Sequence, residues 1–188
     1  MTALSRKLLV LDLDETLVHA TERRLALDED FRVGPYYVYT RPHLTEFISA
    51  MTATFRVAVW TASSPDYARP VIERIFPADA LEFVWTGERC TTARDWDTGD
   101  YKTLKNLRKL KKRGYDLASV IAVDDTPEKY ERSFGNLVTV QEFVGDRADV
   151  ELRLLTTYLA QLALVPNIRA VEKRNWRAHV QRGSDGRA

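Results

Sequence analysis

Two acidic pairs hold the chemistry this chain could do. Asp12 and Asp14 stand with one residue between them in "LLVLDLDETLVHA", residues 8 to 20, and Asp124 and Asp125 end the run "SVIAVDD". Carboxylates at the end of an apolar strand are expensive to bury. On extended chain Asp12 and Asp14 project to one side, roughly 6.5 Å apart. Four acids converging on one crevice would repel or take up protons. A hard divalent cation answers that density, and a few carboxylates with much water is how Mg²⁺ is usually held. "VDDTP" alone also reads as the start of a turn; a matching acidic pair on another strand favours the metal. A cation beside carboxylates points to phosphoryl transfer, where catalysis is positioning and charge neutralisation. One aspartate can attack phosphorus and form an aspartyl-phosphate, while a second carboxyl protonates the leaving oxygen and then activates water. The phosphoryl oxygens call for further donors: the Thr61 hydroxyl, a lysine and an arginine.

Lys102 in "GDYKTL" is the candidate lysine, because it opens a helix directly after a loop. The other basic residues of that segment, Lys105, Arg108, Lys109, Lys111, Lys112 and Arg113, are expected to form a solvated face. His19 lacks a second ligand at metal spacing and His43 falls in a first helical turn, so both are read as structural or surface residues. Trp60, Trp85, Tyr67 and Phe76 fall within strand or helix patterns and are expected in the core.

The elements that must position these residues alternate. "KLLVLDLD", "FRVAVWT" (55 to 61), "LEFVWT" (81 to 86), "SVIAVDD" (119 to 125) and "LVTV" (137 to 140) read as strands, with "YYVYT" (36 to 40) as a peripheral one. "RPHLTEFISAM" reads as a helix, with Leu44, Phe47, Ile48 and Met51 at helical spacing. "SSPDYARPVIERIF" offers Ser64 as N-cap and Pro65 at the first helical position. "TLKNLRKLKKRGY" reads as a basic amphipathic helix closed by Gly114, and another helix runs from about Asp149 to Pro166. Strands apolar on both faces, alternating with amphipathic helices, predict a parallel sheet covered on both sides. Ligands bind beyond the carboxyl ends of such strands. Asp12 and Asp14, Thr61, Thr86, and Asp124 with Asp125 all stand at or just past such ends.

The bulk properties agree with one soluble domain. At 188 residues the chain can bury a core without staples, and a net charge of +1 gives no push toward nucleic acid or a membrane. Cys90 is the only cysteine, which favours a reducing compartment. The first residues meet charge too soon for a signal peptide, and no apolar run approaches the ~18 residues of a membrane span. Residues 1–166 are read as the domain and 167–188 as a basic, solvated tail that could alternatively serve an acidic partner.

The order "DLDETL", "WTAS", "GDYKTL", "VIAVDDTP" resembles the haloacid dehalogenase superfamily. More narrowly, "TRPHLTEFI", "WTASSPDYARPVI" and "VDDTPEKY" resemble its branch of phosphatases acting on the carboxyl-terminal domain of RNA polymerase II, with their small, NLI-interacting-factor-like relatives. The resemblance runs from about Lys7 to Leu164. It implies an α/β, HAD-like Rossmannoid parallel sheet with helices on both faces and a small or minimal insert instead of a large cap. It also implies Asp12 as nucleophile, Asp14 as general acid/base offering its backbone carbonyl to Mg²⁺, and Thr61 and Lys102 on the phosphoryl oxygens. Asp125 would ligate Mg²⁺, Asp124 would support Lys102 or the metal-bound water, Thr16 would orient the loop, and Arg89 would contact the substrate phosphate. The expected protein is a Mg²⁺-dependent phosphatase of phosphoserine or phosphothreonine proteins, monomeric and intracellular: cytoplasmic, or nuclear in a eukaryote.

The segment before "RPH" is short for the eukaryotic members, and no appended phosphopeptide-binding domain fits after Pro166. Residues 77–101 are the only room seen for a substrate-selecting insert; their Phe83, Trp85 and Trp96 define no peptide pocket. A polynucleotide-end or small-molecule phosphatase of the same superfamily is the nearest rival. The end-processing enzymes usually read D-x-D-G-T, whereas this chain has Glu15. A non-catalytic receiver-like module would place its acidic pair first and its phosphorylated aspartate later, the reverse of this order. An EF-hand loop fails because "DLDETL" follows a strand and lacks the required Asx and Gly.

Overall fold

The computed structural model describes residues 6–95 and 98–185. In chain order its strands are Leu8–Leu11 (β1), Val18–Thr21 (β2), Phe31–Val33 (β3), Tyr36–Thr40 (β4), Arg56–Trp60 (β5), Leu81–Trp85 (β6), Thr91–Arg94 (β7), Tyr101–Leu104 (β8), Val120–Asp124 (β9) and Leu137–Thr139 (β10). The helices are Leu44–Thr54 (α1), Pro65–Ile75 (α2), Arg108–Lys111 (α3), Glu151–Ala163 (α4) and Trp176–Asp185 (α5). Five strands make a parallel sheet in the order β10-β9-β1-β5-β6.

Strand pleat divides the core in two. Leu9, Leu11, Val57, Val59, Ile121 and Val123 point to one face, where α1, α2, α4 and α5 cover them. Leu8, Val10, Ala58, Trp60, Val120 and Ala122 point to the other, under Trp85, Leu107, Leu110 and Tyr130. Both faces are buried, as the unbroken apolar runs require, but the long helices all pack on the first. The helix expected over 103–113 shrinks to α3, because its first residues complete β8 instead.

The chain steps from β1 through β5 to β6, then returns past β1 to β9 and β10. Strand order therefore reverses beside β1, and the carboxyl ends of β1 and β9 flank the switch point where α/β sheets bind ligands. Backbone bonds hold those ends in line: Asp12 N–H donates to Val123 C=O at 2.9 Å, and Val140 N–H donates to Asp124 C=O at 3.1 Å.

Two small sheets decorate this frame. β2-β4-β3 is antiparallel, and β7 pairs with β8 as a hairpin. Only β4 of the first is evident in the sequence, because β2 and β3 are short and mix polar with apolar residues. Room for an insert thus exists at 18–40 as well as 77–101, and β6, within the latter, belongs to the central sheet. Trp96 lies outside the described residues.

The tail reading is corrected. Ile168, Trp176 and Val180 are buried in the larger core cluster. The Trp176 ring stacks on Tyr158, its centroid 5.4 Å away.

Candidate active site

Asp12 leaves β1 with its carboxylate 1% exposed, and Asp124 ends β9 with its own fully buried. Between them sits Lys105, also fully buried, its Nζ 2.6 Å from Asp12 Oδ1 and 2.5 Å from Asp124 Oδ2. A second ammonium, Lys129 Nζ, lies 3.2 Å from Asp12 Oδ2, 3.3 Å from Asp124 Oδ1 and 3.9 Å from Asp125 Oδ1. Burial works against charge on Asp12, yet Lys105 and Lys129 outweigh it and hold that carboxyl below its ordinary value. Burial, then the Asp12 charge, pushes Asp124 up to about 7. Burial likewise opposes charge on Lys105, but Asp12 and Asp124 raise it above the usual lysine range.

Asp14 faces a different set of partners. Its Oδ1 accepts from Tyr67 OH at 2.6 Å, and its Oδ2 from Ser63 Oγ at 2.7 Å and Thr61 Oγ1 at 3.2 Å. Thr61 Oγ1 in turn accepts from Ser63 N–H at 3.0 Å, which ties the loop after β5 to the carboxylate. Gly87 permits that loop its course: a Cβ there would stand 2.5 Å from the Ala62 carbonyl oxygen. Tyr67 comes from α2 and is braced edge-on by Tyr36 of β4, with centroids 5.4 Å apart.

The turn after β1 is tight. Glu15 has a left-handed φ of 56°, and its N–H donates to Val18 C=O at 2.8 Å. Arg41, buried, donates to Thr16 C=O at 3.1 Å and grips Asp149 through two bonds of 3.0 and 2.8 Å. Burial, then the charges of Asp14, Asp125 and Asp12, push Glu15 up to about 7. Its Oε1 lies 3.0 Å from His19 Nδ1. Asp14, Glu15, Ala20, Tyr36, Ser63, Ser64 and Tyr67 line an open cavity of about 340 Å³. A larger one, about 760 Å³, lies along β10 and the 169–177 segment and is lined by none of these acids, so the chemistry favours the smaller.

Of the residues expected from the sequence, Asp12, Asp124 and Asp125 converge, and Asp14 meets Thr61. Lys102 does not join them. It lies on β8, not at a helix start, and its ammonium pairs with Asp95 at 3.4 Å and Glu131 at 2.5 Å. Lys105, assigned to a solvated face, takes the central place because the chain passes from β8 into the interior at Leu104. Arg89 is exposed and lays its guanidinium over the Trp85 ring, 5.7 Å from the centroid. Thr16 holds the loop through its backbone carbonyl; its buried Oγ1 has no hydrogen-bond partner among the described residues. Lys129, Ser63 and Tyr67 were not foreseen as site residues. Their signal was position alone, within four residues of Asp125 and six of Thr61.

One oxygen from each of Asp12, Asp124 and Asp125 lies within 4.8 Å of the other two. Asp125 Oδ1 is buried and has no hydrogen-bond partner among the described residues. An orphaned carboxylate oxygen in an all-oxygen donor set fits a hard divalent cation.

The NLI interacting factor-like phosphatase family model matches residues 7–169. This chain belongs to that family. Among curated relatives of this NLI interacting factor-like chain, Phosphatase Herzog of Drosophila melanogaster is 32% identical over 178 residues, covering 91% of this chain and 48% of the relative. The human carboxy-terminal domain RNA polymerase II polypeptide A small phosphatase 1 is 32% identical over 169 residues, 86% of this chain and 61% of its own. The chain thus spans about half the length of the curated relatives it matches. In fold it is similar to the RNA polymerase II CTD phosphatase Fcp1 of fission yeast, with a TM-score of 0.55 at 22% identity over 96% of this chain and 56% of that one. That likeness supports the α/β, HAD-like architecture. No helix among the described residues is long and apolar enough to cross a membrane.

Proposed function

We propose that this family member is a Mg²⁺-dependent phosphomonoesterase that works through an aspartyl-phosphate on phosphoserine or phosphothreonine in proteins. The observation that carries the reading is the meeting of Asp12, Asp124 and Asp125, with the buried Asp125 Oδ1 accepting no hydrogen bond among the described residues. Asp12, Asp125 and the backbone carbonyl of Asp14 would hold the cation, with Asp124 behind them. When bound, the cation neutralises charge on the phosphoryl oxygens.

The chain's own residues supply the rest. Lys105 keeps Asp12 ionised and aimed, so that one Asp12 oxygen attacks phosphorus as the ester P–O bond breaks. Asp14 gives a proton to the leaving oxygen, then takes one from the water that attacks the phosphorus of the aspartyl-phosphate. That second step returns Asp12 and releases inorganic phosphate. Thr61 Oγ1, which donates to Asp14 Oδ2 at 3.2 Å and accepts from Ser63 N–H at 3.0 Å, would meet a phosphoryl oxygen. Lys105 takes the role expected of Lys102. Neither Arg89 nor the Thr16 side chain has a geometry that supports its expected role. The names of the relatives make a phosphoprotein the first substrate class to try.

The test is hydrolysis of an aryl phosphate by wild type and Asp12→Asn, with Mg²⁺ and with EDTA. Turnover that needs both Mg²⁺ and Asp12 is expected; full activity in EDTA or in the variant sinks the mechanism. A panel of phosphopeptides against 3′-phosphorylated oligonucleotides then reads the substrate class, with the peptides expected to be turned over faster.

A further inference from the structure

The three converging carboxylates meet two ammonium groups, and the two are placed differently. Lys105 is fully buried and binds Asp12 Oδ1 and Asp124 Oδ2. Lys129 binds the other oxygen of each, Asp12 Oδ2 and Asp124 Oδ1, and lies 3.9 Å from Asp125 Oδ1, which accepts no hydrogen bond among the described residues. Its side chain is 20% exposed. It stands on the turn Pro127–Tyr130, whose backbone is pinned by Lys105 N–H donating to Lys129 C=O at 2.8 Å.

We propose that Lys129 is a built-in cation that shares the Asp12–Asp124–Asp125 face with the divalent ion, so that the ion binds only as the Lys129 ammonium swings out. The inference rests on the reading of those acids as a divalent-cation site. Mg²⁺ bonds carboxylate oxygens at about 2.0–2.1 Å and demands an octahedral set. An ammonium within hydrogen-bond reach of two of those carboxylates takes coordination space and repels the incoming charge. Lys105 cannot yield, being sealed in and bonded on the far oxygens. Lys129 can: its backbone is fixed, but four rotatable bonds and an exposed flank let its head move to solvent. The trade keeps the acids compensated in both states. It costs metal affinity and spares the site three carboxylates with Lys105 as their one cation before the metal arrives.

Two measurements on the full chain test this. The first titrates MgCl₂ into wild type, Lys129→Met and Lys129→Arg, followed by calorimetry and by the midpoint of thermal unfolding. Lys129→Met should bind Mg²⁺ at least tenfold more tightly than wild type and melt lower without Mg²⁺, the gap closing as Mg²⁺ saturates. Lys129→Arg should bind no more tightly than wild type. The second follows acetylation of Lys129 in wild type by mass spectrometry, which should quicken when Mg²⁺ is added. Equal or weaker Mg²⁺ binding by a folded Lys129→Met, binding by neither protein, or protection of Lys129 by Mg²⁺ would each overturn the proposal. Mg²⁺ binding without hydrolysis of any phosphate ester would instead sink the proposed activity and leave this exchange standing.

Discussion

Lys105 holds two carboxylates with one buried ammonium, and removing it leaves both with only the longer contacts to Lys129. Breaking such a buried pair costs about 3–5 kcal/mol. Lys105→Met should therefore melt well below wild type and lose at least ~100-fold in kcat, a loss in the range of removing one preorganised electrostatic contact. Lys102 sits on an open flank with Asp95 and Glu131, where solvent screens its ion pairs and leaves them little net worth. Lys102→Met should keep both stability and rate, and rates measured side by side settle which lysine serves the site. The sequence showed where Asp12, Asp124 and Asp125 would converge, because strand ends are legible from unbroken apolar runs. It misplaced the lysine because a basic segment of mixed pattern hides where strand stops and helix begins. Glu15 adds a pH dependence. Its folded value of about 7 exceeds the ordinary 4.5, so the folded chain holds more protons in that interval. Stability then falls as pH rises from 4.5 through 7. Glu15→Gln removes this penalty, so its melting advantage over wild type should grow between pH 5 and pH 8; a constant difference across that range rules the effect out.

At the scale of elements, the site is a set of turns held by the strands beneath them. The five parallel strands were readable from the sequence: burial on both faces leaves the inner ones almost free of polar residues, and the edge strand β6, though broken by exposed Glu82, is rich in β-forming residues. Of the three-stranded sheet only β4 was, and the hairpin was not, because the other strands are short and half exposed, so no period stands out. Yet those decorations reach the chemistry. β4 carries Tyr36, Tyr36 braces Tyr67, and Tyr67 donates to Asp14. The loop after β5 needs the same kind of support from Gly87, whose N–H donates to Ser63 C=O at 2.9 Å. A methyl at Gly87 would meet backbone oxygen, which cannot step aside as a side chain can. Gly87→Ala should cost about 1–3 kcal/mol as overpacking does, and should lower kcat by shifting Thr61 and Ser63. Urea unfolding and aryl phosphate turnover check the two effects; a variant with wild-type values for both would show that the loop yields freely.

At the scale of the whole molecule, the first and the last described elements meet the same sheet. β1 is its middle strand, and the segment after Pro166 returns to clamp β10. Trp176 Nε1 donates to Thr139 C=O at 2.9 Å, and Arg177 pairs with Glu151 while reaching the same carbonyl. Thr139 lies in register with Asp124, so the clamp acts on the strand beside the candidate metal ligands. Six basic residues scattered over 167–188 hid this from the sequence, because the burial rests on Ile168, Trp176 and Val180, which stand apart rather than in one apolar run. Trp176 is 1% exposed, and truncating a buried tryptophan costs about 3–5 kcal/mol. Trp176→Ala should show that loss in urea unfolding, where a solvated tail would show less than ~0.5 kcal/mol. Below its melting point the same variant should exchange the Val140 amide faster. That amide bonds Asp124 C=O, so it reports whether β10 still holds β9 in line. Lost stability with unchanged Val140 exchange would confine the segment to covering the core. Faster exchange, with weaker Mg²⁺ binding, would extend its reach to the acids that hold the ion.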